Sequence, residues 1–290
     1  MTQSSNQSPN TATLLISCPD RKGLVAAISA LLSDHGVNLV DVQQHTDQIE
    51  KLFFQRIKFD LTDLDITREQ LENLLQIECG RYQMSWRIAY SDYKKRAAIF
   101  SSKYDHCIYD LLLRHRIGEL NCDIPVVISN HEDQRYLAEG FGIPYFCFPI
   151  NKENKPEQEQ KEIELLREHK IDLIIMARYM QVLSDEFIGE FPLQIINIHH
   201  STLPAFKGAK PYHQAFERGV KLIGATGHYA TADLDEGPII AQGAEDVTHA
   251  DTIDDYVRKG RDIERVTLAE AVMAHLEDRI IVYGHRTIVF

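Results

Sequence analysis

The sequence predicts an α/β chain in two parts, a small α+β layer followed by a larger, doubly wound sheet that is mainly parallel. Three observations carry this. Residues 11–90 alternate strand and helix periodicity in the order β-α-β-β-α-β. From Ala97 onward, short and continuously apolar strands alternate with helical stretches, the pattern of a sheet covered on both faces. Between them Ser91 to Arg96 is polar and basic and reads as a linker. The expected organisation is therefore a disordered tail over 1–10, a first domain over 11–90, a linker over 91–96 and a second domain over 97–290.

The elements follow in order. Thr13 to Cys18 is apolar and strand-like, and Pro19 to Gly23 turns the chain. Leu24, Ala27, Ile28, Leu31 and Leu32 fall at helical spacing, and Gly36 sits where helices stop. Asn38 to Thr46 and Lys51 to Leu61 read as two strands about a polar turn, the second with Phe53, Gln55, Ile57 and Phe59 on one face. Thr67-x-x-Gln70 opens a helix to Ile77 as a capping box would, and Tyr82 to Tyr90 is a fourth strand. In the second part, strands are expected at Ala97–Ser101, Ile124–Ser129, Pro144–Phe148 and Asp172–Met176. Helices are expected at Tyr104–Arg114, Glu132–Phe141 and Gln158–His169. The charge run Asn151 to Lys161 reads as a solvated loop and helix start. The I-I-V-Y and T-I-V-F runs within Arg279 to Phe290 suggest a last hairpin packed on the second domain.

Composition narrows the function classes. A formal charge of −12 repels phosphate backbones and argues against a nucleic-acid partner. No apolar run approaches the ~20 residues that span a membrane. The cysteines at 18, 79, 107, 122 and 147 are scattered and lack C-x-x-C spacing, as expected of reduced thiols in a cytoplasmic protein. The Ser/Gln/Asn-rich start has no apolar core of a signal peptide.

The densest chemistry lies between Asn197 and Gly237. Asn197 and His199, two apart in I-I-N-I-H, point to one side of a strand while Ile198 points to the other. Asp235 lies in the acidic segment D-L-D-E-G. From spacing alone the pair is equally a structural asparagine and a core histidine, and Asp235 a solvated carboxylate. Brought together, an amide, an imidazole and a carboxylate hold a carbonyl oxygen, move a proton and orient a water. The histidines here show no H-x-x-x-H or Cys/His ligand spacing, so no metal is expected.

The motif N-I-H-x-S-x-L-P, then Gly208-Ala209-x-x-x-His213, then D-x-G resembles the folate-dependent formyltransferase family over roughly Lys95 to Ala250. The resemblance implies that Asn197, His199 and Asp235 are catalytic. It also implies that Ala177 to Ser184 is the folate-binding loop, where Arg178, Tyr179, Met180, Val182 and Leu183 meet the pterin. His200, Ser201 and Gly237 join the expected substrate-binding set. His200 departs from the family, which usually has proline there. Lys210, His213 and His228 read as structural or supporting residues.

A second departure bears on the reaction. Ribonucleotide-using members of the family place a glycine-rich, phosphate-holding turn after the first strand, whereas Phe100-Ser101-Ser102-Lys103-Tyr104 contains no glycine. In the first domain the order β-α-β-β-α-β is the ferredoxin-like arrangement. With the D-R-x-G turn and H-G-V-N-L it resembles an ACT domain, which implies an amino-acid effector met by Asp20, Arg21, Lys22, Gly23 and Asn38, and pairing of copies through this domain. Glycine or methionine are candidate effectors by pathway reasoning alone. The two domains together resemble the formyltetrahydrofolate deformylases. The resemblance implies hydrolysis of 10-formyltetrahydrofolate by water in one-carbon metabolism, with no permanently bound cofactor. A formyltransferase acting on an unidentified amine and a non-catalytic amino-acid sensor are the alternatives.

Overall fold

The computed structural model describes residues 10–204 and 211–290. Gly208, Ala209 and Lys210 of the signature, and all of the expected tail but Asn10, lie outside the described residues. The chain divides into two compact units, one running through Lys94 and including Asp278–Ile281 and Ile288–Phe290, the other Lys95–Glu277 with Val282–Thr287.

The first unit carries β1 (Thr11–Pro19), α1 (Leu24–Asp34), β2 (Asn38–Asp47), β3 (Leu52–Asp60), α2 (Arg68–Tyr82) and β4 (Ser85–Tyr90). Its antiparallel sheet has the order β2-β3-β1-β4. Leu14 and Ile16 of β1, Phe53, Ile57 and Phe59 of β3, and Leu24, Ile28 and Leu71 of the helices share one core. The alternation on β3 explains this. Phe53, Ile57 and Phe59 fall on one side of the pleat, and burying each such side chain contributes ~1.5–3 kcal/mol. The box at Thr67 forms, with Gln70 N donating to Thr67 Oγ1 at 3.2 Å and Thr67 N to Gln70 Oε1 at 2.9 Å. The α2 helix runs to Tyr82, one turn past the expected end, and Gln83 closes it in the left-handed conformation.

The second unit carries β5 (Arg96–Ser101), α3 (His106–Ile117), β6 (Asp123–Ser129), α4 (Arg135–Gly140), β7 (Tyr145–Cys147), α5 (Lys155–Glu168), β8 (Leu173–Ala177), α6 (Asp185–Glu190), β9 (Ile195–His199), α7 (Pro211–Glu217), β10 (Leu222–Tyr229), β11 (Ile239–Asp246) and α8 (Ile253–Leu276). Its sheet runs β11-β10-β9-β8-β5-β6-β7. The span β9-β8-β5-β6-β7 is parallel, and β10 and β11 add an antiparallel edge. The expected alternation therefore gives a mainly parallel sheet. Phe100, Ile128, Ile174 and Ile195 from four strands pack with Leu166 of α5 and Phe187 of α6.

Three further details differ from expectation. The charge run 151–161 is not wholly solvated, because α5 starts at Lys155 and buries Glu159, which accepts a hydrogen bond from Ser184 N at 3.1 Å. The last hairpin forms from β12 (Ile280–Tyr283) and β13 (Arg286–Val289), but Asp278–Ile281 and Ile288–Phe290 belong to the first unit. Within that unit Arg87 pairs with Asp278 at 2.6 Å and Arg56 Nε donates to the Asp278 carbonyl at 3.0 Å. Finally, α8 was not anticipated, although Thr252 caps it in a box with Asp255. Among the described residues no helix is long and apolar enough to cross a membrane.

Candidate active site

The carboxyl ends of β8 and β9 stand side by side, Met176 opposite Asn197, and ligands of open parallel sheets sit beyond such ends. A cavity of ≈ 290 Å³ opens there, lined among others by Arg178, Met180, Asn197, His199, His228 and Asp235. The strand period puts Asn197 and His199 on the same face, as the spacing requires. Antiparallel pairing with β10 then sets His228 opposite Asn197 and Thr226 opposite His199. Asp235 arrives on the loop between β10 and β11.

The polar contacts fix most ring and amide orientations. Asp235 Oδ1 lies 3.2 Å from His199 Nδ1 and 3.9 Å from His228 Nε2. His228 Nδ1 donates to the Tyr229 carbonyl at 3.0 Å, so its Nε2 is the acceptor for Asn197 Nδ2 at 3.2 Å. His228 therefore holds the Asn197 amide in one orientation and leaves the second amide N–H free to donate. His199 Nε2 is buried and has no hydrogen-bond partner among the described residues. A buried, unmade hydrogen bond costs ~1–3 kcal/mol.

The charges are set by the same contacts. The hydrogen bond from His199 holds the Asp235 carboxyl below its ordinary value, against the opposing effect of burial. Burial pushes His228 down, which keeps it neutral. Burial first and Arg178 second push His200 down to about 4. Three non-glycine residues of the site adopt left-handed backbone: Arg178 at φ 61°, Met180 at φ 61° and Asp235 at φ 58°. Such conformations cost about 1–3 kcal/mol each and persist where the surrounding structure over-determines them.

Of the residues singled out in the sequence, the structure brings Asn197, His199, Asp235, Arg178, Tyr179, Met180, Val182, Leu183 and His200 to this one cavity. Tyr179 does so at its edge, since its ring packs on Phe100 at 5.0 Å and its hydroxyl donates to buried Glu162 at 2.7 Å. Ser201 lines a separate cavity instead, with its carbonyl accepting from Thr226 Oγ1 at 2.8 Å. Gly237 does not line the cavity either, and it is not in the left-handed region. A Cβ there would meet the Tyr229 carbonyl at 1.7 Å, so glycine is required by close approach. In the first unit Asp20, Arg21, Lys22, Gly23 and Asn38 are all exposed, and Arg21 is tied to α2 through the Tyr82 carbonyl at 2.7 Å.

One group escaped the sequence reading. Glu264 of α8 is buried beside the cavity wall, accepting from Tyr212 at 2.6 Å and pairing with His106 at 2.7 Å and Arg178 at 3.4 Å. Burial raises its pKa, but the His106 bond, the Arg178 charge and the Tyr212 bond outweigh it and keep the carboxylate ionised. His106, Cys107 and Glu264 bring ligand-type atoms within 4.8 Å of one another, yet the Arg178 guanidinium already supplies the cation. The N-cap signal Thr252-x-x-Asp255 and the helical spacing of Tyr256, Ile263, Leu268 and Val272 could have located α8, and nothing local marks Glu264.

Comparison with known proteins agrees with this architecture. Residues 95–272 match the formyl transferase family and residues 12–76 the ACT domain. The chain is 51% identical to the formyltetrahydrofolate deformylase of Synechocystis, across 97% of this chain and 98% of that one. A crystal structure of a formyltetrahydrofolate deformylase from Pseudomonas syringae superposes with a TM-score of 0.95 at 43% identity, covering 99% of this chain and 96% of that one. Glycinamide ribonucleotide transformylase 1 from Symbiobacterium toebii shares 30% identity with a TM-score of 0.66, over 69% of this chain and 96% of its own. With near-full-length identity of this order and both domain types in sequence order, the chain belongs to the formyltetrahydrofolate deformylases of the formyl transferase family.

Proposed function

We propose that the cavity at the ends of β8 and β9 hydrolyses 10-formyltetrahydrofolate to tetrahydrofolate and formate, with Asn197, His199 and Asp235 as catalytic residues. The observation that carries the role assignment is the His199–Asp235 pair at 3.2 Å, which leaves Nε2 of the cavity-lining His199 without a hydrogen-bond partner among the described residues. With His199 held by Asp235 through Nδ1, its Nε2 is the ring nitrogen that serves the developing oxyanion. Asn197 adds the amide N–H that His228 leaves free. Asp235 orients the attacking water through its other oxygen.

The balance is simple. Water oxygen bonds the formyl carbon, the C–N10 bond breaks, N10 gains one proton and formate leaves as an anion with one proton released to solvent. Donors placed before the charge develops need no reorganisation during the step, which is why such sites are effective. Met180, Val182 and Leu183 supply the apolar wall for a pterin, and no permanently bound cofactor enters the scheme.

The ACT domain carries regulation by a small molecule. In this reading the ligand is an amino acid, met by Asp20, Arg21, Lys22, Gly23 and Asn38, and copies pair through that domain. The five cysteines, none in a disulfide among the described residues, support a cytoplasmic setting, and the net charge of −12 supports a protein without a nucleic-acid or membrane partner. The test is incubation with formylated folate alone, following formate by NMR. Stoichiometric formate and tetrahydrofolate without added amine support the reading. An intact formyl group after prolonged incubation refutes it.

A further inference from the structure

The second unit shares its fold with transformylases named for a ribonucleotide acceptor. A fold common to both chemistries leaves the choice of acceptor to local side chains. Arg178 and His200 are two cavity-wall residues that also face a buried polar cluster on the side away from the cavity. Arg178 follows the end of β8 directly, and the last pair of β8 and β9 is Met176 with Asn197. The His200 ring lies 5.1 Å from the His199 ring and 6.3 Å from the Tyr212 ring. This wall therefore adjoins the catalytic histidine.

What stands behind Arg178 is dense and connected, whereas His200 and Tyr212 also line the second cavity of ≈ 260 Å³. The Arg178 guanidinium lies 4.9 Å above the Tyr104 ring and 3.4 Å from Glu264. Glu264 is held from two further sides by Tyr212 and His106. Tyr212 is seated so closely on α8 that a Cβ on Gly260 would lie 2.1 Å from its ring. The Tyr104 loop is itself fixed, with Gln134 Nε2 donating to the Lys103 carbonyl at 2.8 Å. Arg178 is 8% exposed, and its Nη1 has no hydrogen-bond partner among the described residues. A charge buried with an unused donor and a left-handed backbone is costly to maintain. Stability alone gives no reason to keep it.

We infer that Arg178, Glu264, Tyr212, His106 and Tyr104, with His200, form an acceptor barrier: they fill the space beside His199 so that water, and no amine carrying further atoms, reaches the formyl carbon. The inference rests on the hydrolytic reading above and names what selects its acceptor. The cavity volume of ≈ 290 Å³ lies just below the ~300–1,000 Å³ typical of ligand pockets. An amine acceptor would bond its nitrogen to the formyl carbon as C–N10 breaks, losing one proton while N10 gains one. The chemistry of the site serves either nucleophile, so the barrier decides by size.

The experiment is a partition measurement. The full chain and its Tyr104→Ala and Tyr212→Ala variants receive 10-formyltetrahydrofolate with glycinamide or hydroxylamine, and formate and formylated amine are counted from the same reaction by mass spectrometry. Tyr212→Ala keeps the experiment informative should the first variant fold poorly. The ratio of products is read within each sample, so a general loss of activity does not move it. The wild type is expected to yield formate with a trace of formylated amine, which sets the reference ratio. In the variants the ratio of formylated amine to formate rises at least about tenfold, equivalent to ~1.4 kcal/mol of removed barrier. Two folded variants that release formate with the wild-type ratio would overturn the barrier and leave hydrolysis standing. Two folded variants without any turnover would also overturn it, because a barrier is not required for the chemistry. A wild type that releases no formate overturns the hydrolytic reading, and this inference with it.

Discussion

Asn197 and His199 owe their shared face to the period of β9, while their partners owe theirs to pairing across β10 and to the loop that follows. Asn197→Ala or His199→Ala is expected to lower turnover by about 10²–10³, the usual cost of removing one oxyanion donor, with the fold unchanged by circular dichroism. Near-wild-type turnover in either would contradict the assignment. His200 gives a pH signature. Its folded pKa of about 4 lies below the ordinary 6.5, so between these values the unfolded chain takes up a proton that the folded chain refuses. Stability is therefore fully present above about 6.5 and falls as the pH drops toward about 4. His200→Asn should flatten this slope in urea titrations at pH 7 and pH 5, leaving the contribution of His228. An unchanged slope would show that His200 is not the source. At this scale, the two-residue spacing of Asn197 and His199 was legible. The bond from Asn197 to His228 was not, because it depends on which residue of β10 faces Asn197.

At the scale of elements, the apolar strands and their alternation with helices were readable because burial on both faces imposes continuous apolar runs. Helix ends were less so. The α2 helix gained a turn through Gln83 in a left-handed conformation, which no glycine announced. The last hairpin was readable as strands, but the unit to which its base belongs depends on Asp278 meeting Arg56 and Arg87, far apart in sequence. The reason for Gly237 also emerged only from the fold, as close approach to the Tyr229 carbonyl. Gly237→Ala forces that approach to open. It is expected to cost ~1–3 kcal/mol, as overpacking does, and to reduce turnover by moving Asp235. A thermal melt and a rate measurement check both. Unchanged values would show that the loop yields without consequence. Thr252→Ala removes a cap of α8 and should cost ~1 kcal/mol in the same melt. No shift would mean that packing alone holds the helix start.

At the scale of the whole molecule, two domain types in one chain couple a regulatory function to a hydrolytic one. An amino acid bound at the first unit is expected to change the rate of formate release. Glycine and methionine are the first to titrate, and Asn38→Ala should lose the response. Rates indifferent to both amino acids would remove them as effectors. Central to all of this is water as the acceptor of the formyl group, and oxygen labelling tests it most directly. In water enriched in ¹⁸O, with 10-formyltetrahydrofolate and no amine, the formate released must carry one labelled oxygen by mass spectrometry. Unlabelled formate, or none, would contradict the account.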